Sequence, residues 1–397
     1  MIDRRRPLTW RIAIGIVAAT FLAPAQARAQ TMRDVLSFLL TNRSVLTGDF
    51  ERDEAAAAAT RDAMTTFLQT ELGTLPSSAS SAGFTYRLDP TLGASVRSTD
   101  SFGPFFTERA LTSGADQLYF GLSYSQSVYH DIDGRGLRDG TLVSTASKLR
   151  SEPQFFDIET LTLKLRTDTV TLQANYGATD RLDIGAVLPL IRLTMSGERV
   201  DTYRGVRNVQ ATASGSATGP GDGIVRAKYN LVRRAGSGLS IAGDLRVPTG
   251  STERLLGTGE FTLAPRVIAS AETGRAGVHG NLGFVVGGES NEVDFNAAAA
   301  LAVTPRLTFV IEGLGRRLAS VGRLTQLTVP HPRLIDVDTV RLTASDEATF
   351  RMVAVGGLKW NIFSTWTLSA NVLRPLTDAG LNSRWTPTVS LDRSFEP

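Results

Sequence analysis

The 397-residue chain has no cysteine, only three histidines, and only four lysines: Lys148, Lys164, Lys228 and Lys359. Without cysteine there is no disulfide scaffold, no thiolate metal site and no thiol catalysis. His130, His279 and His331 are too scattered to form a metal-ligand motif. A nucleophile elbow, a zincin helix and a phosphate-cradling loop are all missing, so the expectation is a protein that is not an enzyme and needs no cofactor. Long apolar runs are missing too. The mean hydropathy of -0.03 is far below that of a bundle of membrane helices, each of which needs about 20 apolar residues. Hydrophobic residues nevertheless make up 42% of the chain and charged ones 20%, which is too apolar for a disordered polypeptide.

The first segment reads as an export signal. Arg4, Arg5, Arg6 and Arg11 flank a short apolar stretch, Ile12 to Leu22, and Ala27-Arg28-Ala29 offers a small-x-small cleavage site before Gln30. A retained membrane anchor is the alternative, although the stretch is too short to span a bilayer. Loss of residues 1–29 would turn the net charge from +3 to -1, so the basicity belongs mostly to the signal. No nucleic-acid partner is therefore expected.

Residues 30–82 read as a helical segment followed by a Ser-rich linker, Pro76 to Ser81. Val35, Leu36, Phe38, Leu39 and Leu40 form one apolar segment, and Asp49 can cap a second helix with Glu51, Asp53 and Glu54 in its first turn. Ala56, Ala59, Ala63, Phe67 and Leu72 then recur at helical spacing.

From about Phe84 the period changes to two. Leu118, Phe120, Leu122 and Tyr124 alternate with small or polar residues, and so do Val225, Ala227, Tyr229 and Leu231 further on. Connections alternate between tight turns, such as 178–181, 304–306 and 363–365, and long segments, such as 129–157, 199–222 and 317–349. That asymmetry belongs to outer-membrane barrels. Residues 83–397 are thus expected to form a transmembrane antiparallel up-and-down β-barrel of twelve strands, with 84–97 able to add a hairpin for fourteen. The count takes 158–178 as one strand, with a bulge near Thr167-Asp168 where the apolar phase flips. A soluble β-sandwich is the alternative, but so many hairpin-linked strands would need a very large closed soluble barrel or two stacked sheets, whereas a membrane barrel uses every strand and leaves no open edge.

With apolar residues toward lipid, the candidate lumen-lining residues are Arg226, Lys228, Asp244, Arg246, Arg266, Glu312, Arg351 and Lys359. Lys164, Arg166, Asp183, His279, Asp294 and Arg316 are placed on the same face. Such charges either pair across strands to brace a narrow barrel or line a route for a polar or anionic solute. Trp360, Trp366 and Trp385 suit interfacial girdles. Asp131-Ile132-Asp133-Gly134 reads as a solvated turn, since it lacks the rest of a calcium loop. Gly215 to Gly223 reads as a mobile loop.

Four stretches resemble a known family. They are Ser101 to Ala110, Asn175 to Asp183, Gly219-Pro220-Gly221-Asp222 and Val247-Pro248-Thr249-Gly250. They are similar to segments of Gram-negative outer-membrane barrels of the phenol meta-pathway and transporter-like type. The resemblance implies a monomeric barrel that moves small, often hydrophobic or aromatic, molecules. It is carried by turns and strand starts. One departure is that Phe395 is followed by Glu396-Pro397 instead of ending the chain.

The expected function is an outer-membrane channel or transporter for small molecules, exported by a Sec-type signal, with the helical segment of residues 30–82 either plugging the lumen or lying in the periplasm. Its partners would be the outer-membrane bilayer, the barrel-assembly machinery during biogenesis and the solute. A non-transporting surface barrel, whose loops bind a partner or support the envelope, is the alternative.

Overall fold

The computed structural model describes residues 31–40, 61–72 apart from 63 and 71, residue 79, residues 86–89 and 94–97, and residues 101–395 apart from 235–236, 289, 320–322, 332–333, 346 and 364. The export signal, the Asp49 cap, most of the Ser-rich linker and Ala56, Ala59 and Ala63 lie outside the described residues.

Among the described residues, twelve strands close into one antiparallel barrel. They are β1 (Leu118–Ile132), β2 (Phe155–Gly177), β3 (Leu182–Tyr203), β4 (Gly223–Arg234), β5 (Ser237–Val247), β6 (Thr262–Thr273), β7 (Ala276–Gly287), β8 (Glu292–Thr304), β9 (Leu307–Leu318), β10 (Thr349–Phe363), β11 (Trp366–Pro375) and β12 (Thr386–Phe395). Each pairs with the next, and β12 returns to β1 with Phe395 opposite Leu118. The short strands 86–89 and 94–97 pair with each other and add nothing to the wall, which excludes the fourteen-stranded count. Closure leaves no strand edge to lipid, and the outward residues are apolar: Phe120, Leu122, Leu172, Tyr229, Ile241, Phe309 and Trp360 are all exposed.

The expected bulge near Thr167 is absent. Strand β2 runs in unbroken register against both neighbours, from Asp157 opposite Tyr203 to Gly177 opposite Asp183. The phase flip has a different cause. Most wall strands have 10 to 15 residues, but β2 has 23 and β3 has 22, about twice what a tilted strand needs to cross a bilayer. At the far end of β2 the apolar residues Leu161, Leu163 and Leu165 face inward, while Lys164 and Arg166 point out into water. Those two residues are therefore outside the lumen.

Inward apolar residues at that end meet the N-terminal segment. Helix α1 (Met32–Leu40) begins with a reciprocal cap, in which Thr31 N donates to Asp34 Oδ2 at 3.0 Å and Asp34 N donates to Thr31 Oγ1 at 3.1 Å. The Thr31 contacts hold the Asp34 carboxyl below its ordinary range. Met32, Val35, Leu36 and Leu39 join Met64, Phe67, Leu68 and Leu72, from a second helical run, in one cluster with Leu161, Leu163, Leu193 and Met195. Small wall residues admit the helix. A Cβ on Gly197 would lie 2.6 Å from Leu39 Cδ1, and one on Gly215 would lie 3.1 Å from Val35 Cγ2.

Gly215 belongs to a strand, not a mobile loop. Residues 206–220 pair with the outer half of β3 through a turn at Arg204-Gly205, where both residues have positive φ. The other long connections are ordered too: 142–149 pairs with β2 and with 337–344, which pairs with 324–330. Asp133 is buried, not solvated. It accepts from Leu324 N at 2.6 Å and Gly380 N at 2.7 Å, tying three long connections together.

Candidate functional site

The lumen is occupied at two levels. The long-loop end holds the helical cluster, and the short-turn end holds an irregular segment, residues 101–113, nearly all buried. This segment is bound by the wall along its length. Phe102 N donates to Thr308 Oγ1 at 3.1 Å. The carboxylate of Glu312 accepts from the backbone N–H of Phe105, of Phe106 at 3.1 Å and of Thr107 at 2.7 Å, and from the Thr107 hydroxyl. Lys359 Nζ donates to Pro104 O at 2.8 Å. Further along, Ala110 N donates to Ser270 Oγ and Ser113 N to Asp183.

Charge is compensated in the same place. Arg226 binds Asp244 with two nitrogens, at 2.6 and 2.7 Å, and Glu108 with a third at 2.6 Å. Lys228, fully buried, lies 3.3 Å from Glu108 and 3.5 Å from Asp183. Bringing these ions out of water costs several kcal/mol each, and close geometry offsets the cost. Four of the sequence candidates, Arg226, Lys228, Glu312 and Lys359, thus hold the segment, while Asp244 joins them to the open lumen.

Above the segment lies a cavity of about 300 Å³. Asp244, Arg246, Arg266 and Arg351 line it, with Arg316, Glu292 and Asp294, and so do apolar Phe106, Ile224, Leu314, Val353 and Leu373. A smaller space beside it is walled by Ser123, Ser125, Thr167, Thr169, Thr171 and Thr388. His279 lies apart from it, bonded to Ser270 at 2.9 Å. Among the described residues no cluster of His, Asp and Glu could hold a metal ion.

Sequence reasoning missed Glu108 and the course of 101–113, of which Ser101 to Ala110 stood out only as a stretch resembling the family. Polar Thr107-Glu108-Arg109 inside an otherwise apolar stretch is the signal that a charged wall faces it. Two of the motif stretches, 219–222 and 247–250, meet each other, and Asn175 to Asp183 meets the residues that follow Ala110. Asn175 Nδ2 donates to Ser113 Oγ at 2.8 Å, and Gly177 lies so close to Gly114 that any Cβ would collide with its carbonyl. Asp222 accepts from Gly250 N at 3.0 Å and Thr258 N at 2.8 Å, while Thr249 Oγ1 donates to Gly221 O at 2.7 Å. Asp222→Ala orphans these donors, so it should cost about 1–3 kcal/mol. The loss should appear as faster proteolytic nicking within 248–260, and an unchanged nicking rate would refute this role of Asp222.

A closed barrel with an apolar belt and with aromatic Trp360, Phe363 and Trp385 exposed near its rims is an outer-membrane protein. Residues 140–320 match a known family. Its description is "Putative MetA-pathway of phenol degradation", and it is the type of barrel that the four stretches resemble. No curated protein matches the chain. The fold is similar to an outer membrane channel from Pseudomonas putida F1, at 14% identity and a TM-score of 0.48, covering 72% of this chain and 98% of that one. It is also similar to the P. putida toluene transporter TodX, at 11% identity and a TM-score of 0.34, covering 71% and 91%.

Proposed function

We propose that the protein is an outer-membrane channel for small molecules, entered after residues 1–29 direct export and are removed. The observation that carries this reading is the cavity within a closed barrel, which touches Phe106 of the segment 101–113 and Thr70 of the helical cluster, both from the chain's N-terminal part. The wall is rigid by virtue of its hydrogen-bonded closure, whereas a segment threaded through the lumen can be displaced without breaking it. Short turns face the periplasm and long loops the exterior, so the helical plug would guard the outer entrance. Phe395, stacked edge-on against Phe120 at 5.9 Å where β12 meets β1, is the element offered to the assembly machinery.

Liposome swelling tests the reading. Proteoliposomes should swell in small solutes and cease to do so as solutes exceed the cavity's dimensions. Swelling no faster than that of empty liposomes at every size would refute it.

A partner-binding surface is a second reading, favoured by Leu334 and Ile335, which stand exposed between the paired strands 324–330 and 337–344. Exchange of residues 324–344 for a short polar turn separates the two: a channel keeps its uptake, and a partner-binding barrel loses its partner.

A further inference from the structure

Strand register brings two arginines together in the lumen. Arg316 on β9 and Arg351 on β10 are direct cross-strand partners, and both line the cavity. Like charges placed directly opposite destabilise a sheet; Arg316 also faces Asp294 directly across β8, which offsets part of that cost, and a bound anion would relieve the rest. Glu292 Oε2 stands 3.8 Å from Arg316, at the edge of an ion pair, and Arg351 donates to Leu381 O at 2.9 Å. Arg246 lines the same space.

One step toward the short turns, the wall changes character. Leu314 and Val353 are again direct partners, and Leu373 and Phe106 line the cavity beside them. A further step down is Glu312, which binds the segment 101–113. Two residues along a strand are about 7 Å, so a cationic row stands about 7 Å above an apolar one. The acids of the lining are engaged as well: Asp294 faces Arg316 across β8, and Asp244 is held by Arg226 and lies 3.3 Å from Arg266. Arg266 Nε is buried without a hydrogen-bond partner among the described residues.

We propose that this cavity binds a small amphipathic carboxylate, its anionic group between Arg316 and Arg351 and its apolar body against Leu314, Val353, Leu373 and Phe106. The proposal deepens the channel reading and rests on it for its physiological meaning. Guanidinium forks match carboxylate geometry, and the apolar row makes a bare anion a poorer ligand than one with a hydrophobic body.

Calorimetric titration of the detergent-purified mature protein with benzoate tests it, with benzyl alcohol and acetate as probes of each half alone. Benzoate should bind at least about tenfold more tightly than either. Arg316→Gln and Arg351→Gln should each weaken benzoate about tenfold while leaving benzyl alcohol unchanged. Unchanged affinity for benzyl alcohol in each variant separates a lost contact from a lost fold. Equal affinity for benzoate and benzyl alcohol, equal affinity for benzoate and acetate, or full benzoate affinity in both variants would overturn the proposal. Swelling in a neutral solute is measured on the same preparation. Swelling without benzoate preference sinks this site and spares the channel, whereas the predicted preference without swelling sinks the channel and spares the site.

Discussion

Cysteines introduced at Val35 and Gly215 should form a disulfide that abolishes solute uptake, and reduction should restore it. An ideal Cβ at Gly215 lies 4.0 Å from Val35 Cβ, within the span of a disulfide, and the chain has no cysteine of its own to compete. Oxidation would staple α1 to the strand 206–220 and keep the outer entrance filled. If passage requires the plug to leave, holding it in place should cut swelling rates by about tenfold or more. Deletion of residues 31–80 should have the opposite effect and raise conductance in planar bilayers. Glu312→Ala, which frees the backbone N–H groups of Phe105, Phe106 and Thr107 from the wall, should raise it further when added to the deletion. Uptake that is equal in the oxidised and reduced protein would mean that solutes pass beside α1, and the plug would not be a gate.

The second large effect is expected at Arg226. Its guanidinium satisfies two carboxylates, Glu108 from the segment 101–113 and Asp244 from β5, with almost no water nearby. Arg226→Met keeps the bulk but removes the closest cation from both buried acids, leaving Glu108 to Lys228 and Asp244 to Arg266, so it should cost about 3–5 kcal/mol. The midpoint of guanidinium unfolding, followed by the heat-modifiable gel shift, reports that loss. Adding Asp244→Asn and Glu108→Gln to Arg226→Met should recover part of it, because neutral amides cost less to bury than under-compensated charges. A single variant as stable as the parent would show that the network is ornamental.

Much of this architecture was legible in the residues. Alternation with period two marks every wall strand because each has one face to lipid and one to the lumen, and the short turns punctuate it with Thr-Asp, Thr-Pro and Ser-Thr pairs. Where the reading failed, it assumed that the inner face is always polar. At the outer half of β2 that assumption inverts: Leu161, Leu163 and Leu165 face inward onto α1, and Lys164 and Arg166 face water. The strand is straight there, and the expected bulge was an artefact of a change in surroundings. Gly215 and its neighbours fail for a related reason. Small residues in sequence look like a loop, but here they are a strand thinned to let a helix approach.

The residues by themselves determined the barrel class, the faces in the membrane belt and the candidate cations, because lipid and water sort side chains along a strand with no regard to distant partners. Only the tertiary structure decided what fills the lumen. Glu108 meeting Arg226, Glu312 receiving three backbone N–H groups, and Arg316 standing opposite Arg351 are contacts between residues tens to hundreds of positions apart, set by barrel register and by the path of a threaded segment. Local periodicity carries no record of either, since one strand's pattern is the same whichever strand it pairs with.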